Sequence, residues 1–155
     1  MRVGVLVALA LTYSGVARAG CTSPATGLTI NEFLVDPDGA DSTALAEWVE
    51  LYNGTSGTLQ LDGVELRKAT QGDAYGVEAT LLTGVTLAPG AFYVIGEANV
   101  SGADHVANGT MGLGSGSNGD GIQIRDCDGT VLDTVVYGDP GNDQLVTDDS
   151  GAVAT

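Results

Sequence analysis

The chain has 155 residues, of which 43 % are hydrophobic, so it is long enough to fold around one core and too apolar to be disordered. Its formal net charge of −15 argues against nucleic acid as a direct partner, because so acidic a surface repels phosphate groups. The 24 glycines follow no period of three, which excludes a collagen-like helix and favours many tight turns.

The N-terminus has the three parts of a secretory signal peptide. Arg2 provides the positive start, residues 3–11 form an uninterrupted apolar run, and Ala17 and Ala19 give the small-x-small pattern of a cleavage site. The apolar run is too short to cross a bilayer. We therefore predict a signal peptide over residues 1–19, and a mature chain without a transmembrane segment that is secreted or exposed at the cell envelope.

Two cysteines remain after the predicted cleavage, and a pair in an exported chain is more often bridged than free. We predict a Cys21–Cys127 disulfide, which closes a loop of about 107 residues and adds up to about 4–5 kcal/mol in the chain-entropy model. Residues 19–21 also fit the end of a lipoprotein signal, although Arg18 stands where that signal takes an apolar residue. Lipid attachment to Cys21 is therefore the alternative, and it would rule out the bridge.

From Leu28 onward, short runs of alternating apolar and polar residues are separated by turn dipeptides, which is typical of antiparallel strands. The runs are residues 28–33, 47–52, 59–61, 64–66, 85–87, 92–95, 121–125 and 131–137. The turn at residues 126–129 is a strong hairpin signal. We predict one antiparallel β-sandwich over residues 28–138, preceded by a segment at 20–27. Residues 139–155 are predicted to be an acidic tail or a partial edge strand.

The loop after the first predicted strand contains the candidate metal ligands. Asp36, Asp38 and Asp41 offer carboxylate oxygens, and Ca²⁺ takes about six to eight oxygen ligands from flexible acidic loops. The spacing departs from an EF-hand loop, because Asp41 stands where that loop requires glycine. The same residues also suit a solvated turn, in which Asp and Gly satisfy the local backbone geometry. A calcium site is thus one prediction for this loop, and a plain turn is the alternative.

Other residues that invite a catalytic interpretation have simpler explanations. His105 is the single histidine and no nucleophile elbow accompanies it, so we interpret it as a surface residue. Glu47 and Glu50 resemble a glycosidase pair, but their odd offset places them on opposite faces of a strand. Trp48 is interpreted as a core residue of that strand. The chain is therefore predicted not to be an enzyme, and calcium is the only cofactor that the sequence suggests.

Five segments, taken in order, resemble bacterial lamin-tail domains. They are residues 30–33 (INEF), 47–53 (EWVELYN), 61–66 (LDGVEL), 87–95 (LAPGAFYVI), and 118–124 (NGDGIQI) followed by 128–133 (DGTVLD). The resemblance implies an all-β, immunoglobulin-like sandwich of two antiparallel sheets without established catalytic residues. In animals this domain follows a long coiled-coil rod, but no heptads precede it here, so a filament role is not expected.

The resemblance also implies a function, because bacterial relatives are exported. We expect a non-catalytic binding or scaffolding module at the cell surface or in the extracellular medium. Its expected partner is a protein or a glycan at the cell envelope, bound by loops or by a sheet edge. Relatives are often attached to hydrolases or nucleases, so the alternative is an accessory domain of an exported hydrolase or nuclease whose catalytic part is absent from this chain.

Overall fold

A computed structural model describes residues 24–40, 44–70, 74–81, 84–107, 109–114 and 119–138. The described residues form ten β-strands. They are β1 (Leu28–Leu34), β2 (Trp48–Asn53), β3 (Leu59–Gln60), β4 (Glu65–Thr70), β5 (Gly76–Thr80), β6 (Thr86–Leu87), β7 (Phe92–Gly96), β8 (His105–Val106), β9 (Asp120–Arg125) and β10 (Val131–Tyr137). The prediction of an all-β fold is confirmed.

Eight of the strands form two four-stranded sheets. The front sheet has the strand order β1-β2-β7-β8, and the back sheet has the order β10-β9-β4-β5. Neighbouring strands are antiparallel except for β7 and β8, whose short pairing is parallel. The remaining strands, β3 and β6, pair with each other through Leu59 and Leu87.

The inner faces of the front and back sheets enclose one hydrophobic core. Val49 and Leu51 contribute to it from β2, Leu66 from β4, and Ile122 and Ile124 from β9, and all five side chains are fully buried. Burial of a side chain of this size stabilises the fold by about 1.5–3 kcal/mol. The two sheets therefore form a sandwich whose stability depends on alternate residues pointing inward.

Trp48 lies on the opposite side of the front sheet, so its interpretation as a core residue was wrong. Val49 and Leu51 point into the core, and the period-two geometry of a strand forces Trp48 and Glu50 outward. Trp48 is only partly buried, and its cross-strand partner Leu34 keeps 39 % of its surface exposed.

Strand β1 contains a bulge, and a hydrogen bond beside it connects the edge strands of the two sheets. The register of β1 on β2 shifts between Ile30 and Glu32, so Asn31, which lies between them, and Glu32 are both exposed. The backbone N–H of Ile30 donates to Oδ2 of Asp133 at 2.8 Å, and β10 has its own register shift next to this aspartate. The side chain of Asp133 thus satisfies the backbone N–H of Ile30 at the edge strand β1.

Several predictions concern residues outside the described ranges. These are the signal peptide over residues 1–19, Cys21, Asp41 and the segment 139–155. They stay predictions. Within the described residues, no helix is long and apolar enough to cross a membrane.

Candidate functional site

The outer face of the front sheet presents aromatic, aliphatic and acidic side chains together. Cross-strand pairing arranges its outward residues in three rows, each running from β1 across β2 to β7. The rows are Thr29–Tyr52–Phe92, Glu32–Glu50–Val94, and Leu34–Trp48–Gly96, the last of which continues to Val106 on β8. The acidic row therefore lies between two rows that contain aromatic residues.

Two aromatic rings stack at one end of this face. The ring centroids of Tyr52 and Phe92 are 5.0 Å apart with an interplanar angle of 33°, and Phe92 keeps 50 % of its surface exposed. Trp48 is on the same strand as Tyr52, four residues away, which corresponds to a distance of about 13 Å. The face consequently has an aromatic group on either side of Glu50.

The carboxylates of the middle row belong to residues that lie opposite each other, and within the described residues neither has a basic partner. Glu32 on β1 is the cross-strand partner of Glu50 on β2. Oε1 of Glu50 accepts a hydrogen bond from Nδ2 of Asn31 at 2.7 Å, whereas Glu32 makes no side-chain hydrogen bond or ion pair within the described residues. Like charges directly opposite each other on a sheet are destabilising.

The outer face of the back sheet differs, because its polar groups satisfy one another. Nη1 of Arg67 donates to Oε2 of Glu65 at 2.7 Å. Nε of Arg125 donates to Oε1 of Gln123 at 2.5 Å, and Nε2 of Gln123 donates to Oγ1 of Thr134 at 3.1 Å.

All of the basic residues beyond the predicted signal peptide lie on the back sheet. Arg67 and Lys68 are on β4 and Arg125 is on β9, whereas the four strands of the front sheet contain neither Lys nor Arg. The Lys and Arg charges are therefore confined to one sheet, and the two carboxylates of the front sheet have no Lys or Arg on their own sheet.

A second group of carboxylates is buried and holds the backbone at residues 111–113. Glu97 accepts hydrogen bonds from the backbone N–H of Glu47 at 2.9 Å and of Met111 at 2.6 Å. The Glu47 carboxylate accepts from the N–H of Leu113, with distances of 3.0 and 3.2 Å to its two oxygens. The exposed fractions of Glu47 and Glu97 are 2 % and 1 %, so their acceptor capacity serves the protein's own backbone.

The carbonyl groups of the same segment also have side-chain partners. Nζ of Lys68 donates to the carbonyl oxygen of Met111 and, at 2.8 Å, to that of Gly112, while the Tyr137 hydroxyl donates to the carbonyl oxygen of Leu113. Residues 111–113 form no regular structure, yet side chains bind the N–H groups of Met111 and Leu113 and all three C=O groups. We assign this polar cluster a structural role.

Burial perturbs two ionisable groups of this polar cluster. It raises the pKa of the Glu47 carboxyl, and the nearby Glu97 carboxylate adds to that increase, while the hydrogen bond from Leu113 opposes it. Burial also raises the pKa of the Tyr137 hydroxyl, and the negative charges of Asp120 and Glu47 raise it further. A perturbed pKa can mark an active site, but here the groups concerned already bind the protein's own backbone.

The predicted calcium loop is only partly described. Asp36 and Asp38 are exposed, and Asp36 has a left-handed backbone conformation with φ of +50°, whereas Asp41 lies outside the described residues. In the described part of the chain, no group of three or more His, Cys, Asp or Glu residues is arranged to hold a metal ion. Calcium binding by Asp36, Asp38 and Asp41 stays a prediction.

The environment of Cys127 is compatible with the predicted disulfide. Cys127 is buried in the turn between β9 and β10, and the described residues contain no free cysteine. The backbone N–H of Ala25 donates to Oδ2 of Asp126 at 3.0 Å, so the chain that follows Cys21 passes beside this turn. The Cys21–Cys127 bridge itself stays a prediction, because Cys21 lies outside the described residues.

Two further predictions concern the front sheet. His105, which was interpreted as a surface residue, is partly buried in the short strand β8, where it pairs with Ile95 of β7. Glu47 is buried and Glu50 lies on the outer face, so the predicted placement of these residues on opposite faces is confirmed.

The arrangement of strands and the sequence segments can be compared with known families. Residues 22–139, which are more than half of the chain, match the Lamin Tail Domain family. The chain belongs to the lamin tail domain family. The resemblance predicted from five sequence segments is thereby confirmed, together with the immunoglobulin-like sandwich that it implied. The comparison with curated proteins finds no match.

Proposed function

We propose that this lamin tail domain is a non-catalytic binding or scaffolding module that is exported to the cell surface or to the extracellular medium. The outer face of the front sheet is the observation that supports the proposal. A half-exposed phenylalanine, Phe92, stacks there on Tyr52, and Trp48 lies on the same face. Aromatic residues such as these are enriched at protein-binding interfaces relative to the rest of the surface.

The buried carboxylates support a binding function over a catalytic one. Glu47 and Glu97 use their oxygens to hold the backbone N–H groups of Met111 and Leu113. A general acid or base must instead be within hydrogen-bond reach of a substrate. The accessible carboxylates of the front sheet, Glu32 and Glu50, lie on an open sheet face rather than in a cleft that excludes water.

Export is supported by the N-terminal sequence. Residues 1–19 have the composition of a secretory signal, and Cys21 and Cys127 suit an oxidising compartment. The partner would then be a protein or a glycan at the cell envelope.

Export is tested by expressing the full chain with its own N-terminus in a bacterial host. We expect the medium or the periplasm to contain a form that begins at Gly20, which mass spectrometry of the purified protein identifies. Retention of the full-length chain in the cytoplasm would contradict export.

Binding is tested by retention of the exported protein on washed envelope fractions, using two matched variants. Phe92→Ser removes the exposed aromatic ring from the front sheet, whereas Val77→Ser removes a side chain of similar exposure from the back sheet, 47 % against 50 %. We expect Phe92→Ser to lower retention several-fold and Val77→Ser to leave it unchanged. Equal retention of both variants would contradict binding through the front sheet. Turnover of esterase, glycosidase or nuclease substrates would contradict a non-catalytic function.

A further inference from the structure

We propose that the outer face of the front sheet binds a polypeptide segment in which a Lys or Arg side chain lies between apolar side chains. The inference rests on the proposed binding function and specifies the chemistry of the partner. Charge complementarity is the first argument for it, and the order of the three rows on the face is the second.

The charge argument starts from the two carboxylates of the middle row. Glu32 and Glu50 are cross-strand partners, and the front sheet has no Lys or Arg that could neutralise them. The amide of Asn31 donates one hydrogen bond to Glu50 and adds no charge. Internal stability does not explain the pair, because like charges in this position destabilise a sheet. A cation supplied by a partner would relieve the repulsion.

The aromatic groups specify what should surround that cation. Trp48 and Tyr52 lie two residues before and after Glu50 on the same face of β2, which places each about 7 Å along the strand from it. A guanidinium or ammonium group within about 6 Å of a ring gains cation–π attraction, and its aliphatic stem packs on apolar surface. Arginine suits the pair best, since its planar group can bind a carboxylate bidentately and stack on a ring.

The order of the rows predicts the spacing of the partner's residues. Along β2 the outward side chains are Tyr52, Glu50 and Trp48, which are two residues apart. The side chains on one side of an extended peptide have the same spacing of two residues. A segment with the pattern Val-x-Arg-x-Val would place its arginine over Glu32 and Glu50. Its valines would lie near the Tyr52–Phe92 pair and near Trp48.

Other partner classes match the face less well. A polyanion would meet the Glu32–Glu50 pair and the net charge of −15 with repulsion. A neutral glycan could stack on Trp48 and Phe92, but it would leave the two carboxylates without a counter-charge. The glycan is therefore included as a probe in the experiment.

The fluorescence of Trp48 reports on this face, because it is the single tryptophan of the chain. The exported protein is titrated with the acetylated and amidated peptide Val-Ser-Arg-Ser-Val-Ser-Arg. The same peptide with Gln in place of Arg, and a neutral glucose hexasaccharide, serve as the comparison probes. We expect saturable binding of the Arg peptide alone, with affinity that falls as the salt concentration rises to about 0.5 M.

Three charge-matched variants locate the site. Glu32→Gln and Glu50→Gln are each expected to weaken binding of the Arg peptide about threefold to fivefold, as the loss of one exposed ion pair implies. Asp128→Asn removes one charge from the exposed turn between β9 and β10, and it should leave the affinity within about 1.5-fold. Unchanged circular dichroism of all three variants excludes misfolding as the cause.

Four results would overturn the inference. They are equal binding of the Gln peptide, an equal loss of affinity in Asp128→Asn, binding of the hexasaccharide in place of the Arg peptide, and no saturable signal. Envelope retention that depends on Phe92 would still support the proposed binding function in each of these outcomes, so the two proposals fail separately.

Discussion

The carboxylate of Glu97 accepts a hydrogen bond from the backbone N–H of Glu47 at 2.9 Å, although both side chains are almost completely buried and acidic. Glu97 directly follows β7 and Glu47 directly precedes β2, so this contact joins two neighbouring strands of the front sheet at one end. Each glutamate also holds the backbone of residues 111–113. Two carboxylates thus substitute for missing backbone hydrogen bonds in a region without regular structure, at the cost of burying negative charge.

This cost predicts an unusual pH dependence of stability. Because burial raises the pKa of Glu47 in the folded state above its ordinary value of 4.5, the folded protein binds a proton more tightly than the unfolded chain. The Glu47 contribution to stability is therefore fully present below about pH 4.5 and is lost as the pH rises through the folded pKa. The slope from this single group is at most about 1.4 kcal/mol per pH unit.

The prediction is tested by urea unfolding of the wild type and of Glu47→Gln from about pH 4 to about pH 7. This range begins near the ordinary pKa of a glutamate and extends above it. We expect the wild type to gain stability relative to the variant as the pH is lowered. Asp128→Asn is the control, because hydrogen bonds from Thr130 lower the pKa of Asp128 below its ordinary value of 3.8. Its contribution is lost only below this pH range, so the difference between the wild type and Asp128→Asn should stay nearly constant. A constant difference between wild type and Glu47→Gln across the range would contradict the prediction.

The close approach of Gly114 to Asp120 predicts a large cost for a methyl group at that position. A Cβ atom on Gly114 would lie 2.5–2.8 Å from the buried Asp120 carboxylate. Gly129 has the same φ of +92° but open space around it, so Gly129→Ala measures the conformational cost alone, about 1–2 kcal/mol. We expect Gly114→Ala to lose about 1–3 kcal/mol more than Gly129→Ala in chemical denaturation, because the hydrogen bonding of a buried carboxylate is disturbed. Equal losses would show that Asp120 moves without cost.

Local sequence pattern was sufficient to predict the strands with regular alternation. The run at residues 47–52 shows β2 because Val49 and Leu51 alternate with polar neighbours, and the turn at 126–129 marks the hairpin of β9 and β10. Strand β5 was not predicted, since the sequence Gly-Val-Glu-Ala-Thr of this edge strand has only one residue that is buried.

The candidate sites were harder to predict because they depend on contacts between distant parts of the chain. Glu97 binds the N–H of Glu47, which is 50 residues earlier, and no local signal distinguishes it from a solvated glutamate. Trp48 was interpreted as a core residue, whereas the burial of its neighbours Val49 and Leu51 requires an outward position. The bulge in β1 does interrupt the alternation, because two consecutive polar residues, Asn31 and Glu32, lie between Ile30 and Phe33, but the sequence analysis did not predict a bulge there.

The buried side chain of Asn53 predicts a strong dependence of stability on one amide. Its Nδ2 donates to the carbonyl oxygens of Gly57 at 2.8 Å and Leu87 at 2.9 Å, and its Oδ1 accepts from the N–H and the hydroxyl of Thr55. Asn53→Ala should destabilise the protein by about 2–4 kcal/mol, since it leaves a buried carbonyl without a donor. Asn99→Ala removes one exposed hydrogen bond, to Ala44, and should cost at most about 0.5 kcal/mol. Similar unfolding midpoints for the two variants would contradict the role assigned to Asn53.

The predicted Cys21–Cys127 bridge gives the last test, because it would join the N-terminal segment to the turn that Asp126 already holds through Ala25. We expect no titratable thiol in the denatured, unreduced exported protein. Cys127→Ser should lower stability by about 3–5 kcal/mol, and the double variant Cys21→Ser/Cys127→Ser should be no less stable than the single one, since both lack the same loop closure. Two titratable thiols would disprove the bridge. A mature mass that includes a diacylglycerol would instead assign Cys21 to lipid anchoring, and Cys127→Ser would then cost only the packing of one small buried side chain.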